Sequence, residues 1–166
     1  DYCALIRDNR KDALIALSST AGTPARSPAS TIKPLLVYAP ALEENLICPA
    51  TPVLDTRTDF GGYAPDDYNG ASGKYMSVRY ALAHSVNIPA VRILNELGVA
   101  RGTDYLAGMD LDVPDEDKSL ALALGGMSTG FRLPELADGY ATLACGGSFT
   151  PSATIERVTD GKNRTL

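Results

Sequence analysis

A stripe of apolar residues at helical spacing, Ile32, Leu35, Leu36, Ala39 and Leu42, limits what this chain can fold into more than any other stretch. Its outer face carries few charges until Glu43-Glu44, so it reads as a buried helix that other elements must surround. Pro34 is tolerable in a first turn, where amides have no intrahelical acceptor to lose, and Pro40 is expected to bend or end the helix. The start of this helix is also where chemistry is expected. Ser30 and Lys33 fall one turn apart on the same face. A serine hydroxyl needs a base within hydrogen-bond reach to act as a nucleophile at neutral pH, and a partly desolvated lysine can be that base. A solvated serine and lysine also meet at this spacing by chance, so the tetrad alone leaves both readings open. A helix start adds free amides and a positive dipole end, which favour a carboxylate or a developing oxyanion beside Ser30.

The surrounding chain reads as α+β. Residues 3–7 and 13–17 form two short apolar runs across the polar turn Asp8-Asn9-Arg10-Lys11-Asp12, a hairpin. Residues 18–28 are a loop rich in small and polar residues. Residues 45–74 hold Pro49, Pro52, Pro65, Gly61-Gly62, Gly70 and Gly73 with little periodicity, and read as a long irregular excursion. Ser77 is a good N-cap for a helix through Leu82, the triplet Ser85-Val86-Asn87 forms a turn, and Pro89 opens a helix over 90–97 stopped by Gly98. Ser85 and Asn87 could equally serve as caps. A short helix is expected over 103–107, a solvated acidic loop over 110–117, and a helix from Leu133 to about Ala144 stopped by Gly146-Gly147. Ile155 to Thr159 reads as a strand entering the turn Asp160-Gly161.

At 166 residues the chain is one domain or a large part of one. A net charge of -5, with 15 scattered Lys and Arg, argues against nucleic acid and anionic membrane surfaces as partners. No apolar run approaches the ~18 residues of a bilayer span, so membrane attachment is expected only through a segment absent from this chain. Cys3, Cys48 and Cys145 lack metal-site spacing and read as buried free thiols. The spacing of Asp55, Asp59, Asp66 and Asp67 departs from a calcium loop, and no cofactor is expected.

Order and surroundings then make the weak motifs specific. The stretches Pro28-Ala29-Ser30-Thr31-Ile32-Lys33-Pro34, Tyr63-Ala64-Pro65-Asp66-Asp67-Tyr68, Ala81-Leu82-Ala83-His84-Ser85-Val86-Asn87-Ile88-Pro89-Ala90-Val91, Leu122-Ala123-Leu124-Gly125-Gly126 and Pro134-Glu135-Leu136-Ala137-Asp138-Gly139-Tyr140 span nearly the whole chain. Together they resemble the transpeptidase domain of penicillin-binding proteins, most closely the class A type. The resemblance implies the fold shared with serine β-lactamases, represented by its helical part plus the N-terminal hairpin.

It also implies attack by Ser30 on the D-alanyl-D-alanine bond of a peptidoglycan stem peptide, with an acyl-enzyme resolved by an amine of a second stem peptide. Lys33 would take the Ser30 proton, Ser85 would relay it to the leaving nitrogen, and Asn87 would orient the substrate amide. A β-lactam would acylate the same serine. The parent protein would work on the extracytoplasmic face of the bacterial membrane. A serine β-lactamase or D,D-carboxypeptidase is the related alternative, and a non-catalytic binding or assembly module of the same fold is the other.

Two departures bear on these expectations. The residue before the nucleophile is usually glycine in this family and is Ala29 here, which matters if the backbone needs positive φ. The family's third motif, Lys followed by Thr or Ser and Gly, follows none of Lys11, Lys33, Lys74, Lys118 or Lys162. The resemblance places it on C-terminal sheet strands past Leu166, so those strands are expected to be missing, with a complementing chain as a conceivable partner. His84 reads as a helix-surface histidine, Asp115-Glu116-Asp117 and Glu43-Glu44 as solvated runs, and the tyrosines as core.

Overall fold

The computed structural model describes residues 2–153, 155 and 157–165. Asp1, Thr154, Glu156 and Leu166 lie outside the described residues, Glu156 falling inside the expected strand over residues 155–159. The chain divides into two compact units, Asp1–Pro24 with Arg132–Leu166, and Ala25–Phe131.

In the first unit the expected hairpin forms. Strands β1 (Cys3–Asp8) and β2 (Ala13–Ser19) pair antiparallel with Leu5 opposite Leu17, and the register shifts between Ile6 and Arg7. The helix α5 (Leu133–Ala144) packs on β1. Pro134, its second residue, has a missing N–H that costs nothing in the first turn, and the Glu135 carboxylate accepts from the Arg132 amide at 2.8 Å. The Arg7 guanidinium is almost fully buried. It is paired with Asp138 of α5 and with Asp12, and it donates to Thr150 O at 2.9 Å. Asp138 also accepts from the Ser152 amide and hydroxyl. Ile6, Ile15 and Leu17 are exposed on the hairpin. Of the described residues of the expected strand over 155–159 none lies in a strand, and Thr159 makes an isolated bridge to Thr165.

The second unit holds the site. The apolar stripe does form a buried helical run, with Ile32, Leu35, Leu36, Val37 and Ala41 removed from solvent. It is not one regular helix. A 3₁₀ turn (Ala29–Ile32) leads into a π-helical turn (Pro34–Tyr38) and then α1 (Ala39–Glu43). In the π turn the Ala39 amide bonds to Pro34 O, so the run passes Pro40 without ending there. Next come α2 (Val78–Ala83), α3 (Asn87–Leu97) and α4 (Val99–Ala107). Helix α3 is central, burying Ile88, Pro89, Ala90, Val91, Ile93 and Leu94 against the helical run, α4 and the 3₁₀ turn Leu120–Leu124. Gly98, at φ 88°, turns the chain from α3 into α4.

Several expectations need correction. The excursion over residues 45–74 contains β3 (Pro52–Asp55), paired antiparallel with β4 (Lys74–Ser77). Helix α3 begins at Asn87, ahead of Pro89, and α4 begins at Val99, ahead of the expected 103. Asp117 is buried and accepts from the Ser128 amide and hydroxyl at 2.8 to 2.9 Å, so that acidic stretch is not simply solvated. The three cysteines are free, but Cys48 and Cys145 are exposed. Tyr38 is core, whereas Tyr68, Tyr75 and Tyr80 are exposed.

Removing one partner of a buried ion pair strands the other charge. Arg7→Leu is therefore expected to lower stability by about 3 kcal/mol in urea unfolding, against under about 1 kcal/mol if the Arg7–Asp138 pair were merely a surface contact.

Candidate active site

A cavity of about 640 Å³ opens in the second unit, lined among others by Ser30, Asp67, Tyr68, Tyr80, Ser85 and Asn87. Ser30 is exposed at its edge, in the 3₁₀ turn that begins the buried run. Lys33 lies beneath the cavity with only 1 % of its surface exposed. The helical run carries it into the core because its neighbours Ile32, Leu35 and Leu36 are all core residues. Burial pushes its amine down from 10.5 to about 8, against the opposing attraction of Asp67.

The Lys33 ammonium is bonded to one turn only. Nζ donates to Ser85 O at 2.7 Å, Asn87 Oδ1 at 2.7 Å, Ser85 Oγ at 3.2 Å and Val86 O at 3.4 Å. Three of the four expected residues thus meet in one hydrogen-bonded group. Ser30 shares the cavity with Ser85 and Asn87 but makes no hydrogen bond to Lys33 or Ser85 among the described residues.

The turn that presents Ser85 is a helix C-terminus of Schellman form. The Ser85 amide bonds to Leu82 O and the Val86 amide to Ala81 O, while Ser85 takes φ 53°. That left-handed position normally belongs to glycine, and a serine there costs on the order of 1 kcal/mol. Ser77 caps α2 as expected, accepting from the Tyr80 amide at 3.2 Å. The cap of α3 is neither Ser85 nor Asn87. Asp67, remote in sequence, accepts from the Asn87 and Ile88 amides at 2.5 and 3.1 Å. Asn87 Nδ2 donates to Asp66 O at 2.9 Å, so its side chain is fixed at both ends. His84 is exposed and stacks on Tyr80, with ring centroids 3.8 Å apart.

The Ser30 turn is held from behind by a second loop. Ala29 takes φ 46°, so the backbone there does require the left-handed region. A Cβ on Gly125, at φ 78°, would lie 2.4 to 2.6 Å from the Ala29 backbone. Ser27 Oγ donates to Gly125 O at 2.6 Å, and a Cβ on Gly130 would strike the Arg26 backbone. Asp117 ties down the same loop through Ser128. Reading the sequence singled out neither Gly125 nor Asp67 as a support for the site, and it gave Tyr68 and Tyr80 no place there. The available signal for Asp67 was its place in Tyr63-Ala64-Pro65-Asp66-Asp67-Tyr68, one of the stretches that carry the resemblance.

Among the described residues no three His, Cys, Asp or Glu side chains are grouped to hold a metal ion, and no helix is long and apolar enough to cross a membrane. The chain matches the penicillin binding protein transpeptidase domain over residues 3–163. It is 38% identical over 144 residues to penicillin-binding protein 1F of Bacillus subtilis, covering 87% of this chain and 20% of that protein. Penicillin-binding protein 4 of the same organism is 33% identical over 142 residues, covering 85% of this chain and 23% of that protein. The chain thus spans about a fifth of the length of these curated relatives. Its fold superposes on PonA1 of Mycobacterium tuberculosis in complex with penicillin V, with a TM-score of 0.85 at 19% identity, over 99% of this chain and 48% of that one.

The two glycine-like positions give opposite expectations. Ala29→Gly relieves a left-handed alanine and is expected to raise stability by about 1 kcal/mol. Gly125→Ala drives a Cβ into the Ala29 backbone and is expected to lower it by about 2 kcal/mol or more. Thermal unfolding of the two variants checks both signs.

Proposed function

The chain belongs to the penicillin-binding protein transpeptidase family, and from this premise we propose that it carries the acylating site of a serine D,D-transpeptidase acting on peptidoglycan stem peptides outside the cytoplasmic membrane. The observation that carries this reading is the Lys33 amine, buried under the cavity, lowered to about 8 and bonded to both Ser85 and Asn87. An amine so placed holds a substantial neutral fraction near physiological pH, which an exposed lysine does not.

In its neutral form Lys33 has two N–H bonds. These satisfy the two nearest acceptors, Ser85 O and Asn87 Oδ1, and leave the lone pair free to take a proton. Ser30 Oγ forms the bond to the penultimate D-alanine carbonyl carbon and its proton passes to Lys33. The C–N bond to the terminal D-alanine then breaks, and Ser85 relays the proton to the leaving nitrogen. Catalytic hydrogen bonds commonly tighten only when substrate is seated, so the approach of Lys33 to Ser30 belongs to the loaded site. Asn87 has one Nδ2 hydrogen beyond the one given to Asp66 O, and that hydrogen orients the substrate amide. The second amine attacks the acyl-Ser30 ester, releases the serine and makes the cross-link. A β-lactam opens its ring on the same serine and leaves a persistent ester.

A labelled penicillin offered to the full-length protein is expected to form a covalent adduct on Ser30. Ser30→Ala gives none, and Lys33→Ala slows acylation by about 10²- to 10⁴-fold. Because the base must be neutral, acylation rises with pH up to about 8 and levels off above it. A wild-type protein that stays unlabelled sinks the proposal, and rapid penicillin turnover identifies a β-lactamase instead.

Ser85→Gly separates fold from chemistry. It is expected to stabilise the protein by about 1 kcal/mol while slowing acylation, because glycine fits the left-handed turn but relays no proton. Equal losses in melting temperature and acylation would contradict this.

A further inference from the structure

The loop from Asp55 to Asp67 contains the least ordinary arrangement outside the four proposed catalytic side chains. Asp55, at the end of β3, is buried, and one of its oxygens, Oδ2, accepts from the Ser72 amide at 2.8 Å. Asp67 spends Oδ1 on the first two amides of α3. The remaining oxygens, Asp55 Oδ1 and Asp67 Oδ2, are buried and meet no N–H or hydroxyl donor among the described residues. Both residues line the same cavity, and each carboxyl acts on the protonation of the other. Two carboxylates have no hydrogen to give one another, whereas one proton held between these two oxygens would satisfy both.

We propose that Asp55 and Asp67 share a single proton and act as a positioning pair for the acylating site, fixing Asn87 and, through it, Lys33. This inference rests on the transpeptidase reading for its catalytic consequence, but not for the shared proton. The shared proton leaves one negative charge on the pair. Burial and the interaction with Asp55 push Asp67 up; burial raises Asp55 too, but its interactions with Asp67 and Ser72 hold it below the usual value, so the charge sits mainly on Asp55. Asp67 is the carboxylate whose charge reaches Lys33 and Tyr38. Keeping Asp67 protonated therefore weakens the one attraction that opposes the lowering of Lys33 by burial. The groups facing Asp67 are Asp55 from β3, Lys33 and Tyr38 from the helical run, and the leading amides of α3. The adjacent Asp66 is turned to Arg57.

Asparagine substitutions distinguish the two carboxyls. Asn at 67 keeps an oxygen for the α3 amides and donates an N–H to Asp55, reproducing the protonated state. Asn at 55 donates to Asp67 and forces the charge onto it. The full-length protein with ¹³C-labelled aspartate and lysine is titrated by NMR, and acylation by labelled penicillin is followed over the same pH range.

One of the two carboxyls is expected to stay protonated well above the usual carboxylate range, and that signal is expected to vanish in both Asp55→Asn and Asp67→Asn. The Lys33 midpoint is expected to rise by at least half a pH unit in Asp55→Asn and not to rise in Asp67→Asn. Acylation is expected to slow more than tenfold in Asp67→Ala, to be largely rescued in Asp67→Asn, and to shift to higher pH in Asp55→Asn. Two carboxyls that both titrate in the usual carboxylate range, with an unmoved Lys33 in Asp55→Asn, overturn the pair. If the shared proton and the Lys33 shift are seen while the wild type forms no adduct, the acylation reading falls and the pair stands.

Discussion

The second unit is arranged around one amine that lies in the core. The Lys33 side chain leaves a helical run whose other residues are apolar, and it finds its oxygens on a turn more than fifty residues later. Its amine donates to oxygens of Ser85, Val86 and Asn87, and Asp67 favours the charged form, yet loss of hydration outweighs that attraction and lowers the amine to about 8. The result is a group that stays fixed in position while its proton remains exchangeable. Helix α3 supplies the wall that makes this possible, and Asp67 supplies the first amides of α3 with an acceptor.

The apolar pattern made some of this legible. The buried run, the hairpin, the Ser77 cap and the turn at 85–87 follow from local rules, and the motifs in order were enough to suggest the family. What local rules did not show depends on contacts between distant stretches. The strand over residues 52–55 is masked by prolines and glycines around it and exists because Lys74–Ser77 pairs with it. Pro40 was expected to bend or end the helix, and the run passes it because a π-helical turn rearranges the bonding ahead of it. Asp67 as a cap and Asp117 as a loop anchor are long-range partnerships, and no spacing rule connects either to its amides. Asp115 and Asp117 are two residues apart, yet the first is exposed and the second buried. The exposed tyrosines were misread because aromatic residues are core more often than not.

Ala29 and Ser85 share an unusual property. Each is a non-glycine residue in the left-handed region, and each sits at a cavity-lining turn. Such strain persists only when the surroundings overdetermine the backbone. At Ser85 the Schellman bonds and the Lys33 contact do so. At Ala29 the Gly125 loop does so from behind, with the buried helical run in front.

The contact between Gly125 and Ala29 also bears on how a site of this kind can diversify. A side chain at 125 would displace the Ser30 turn, so the back of the site tolerates almost no change. Tyr68, Met76 and Tyr80 face the same cavity from a rim where a new side chain need not move Ser30 or Lys33. Selectivity for a different ligand can therefore accumulate along that rim by single substitutions, while the nucleophile's own support stays invariant. The geometry thereby separates the residues that set what enters from those that set whether anything reacts.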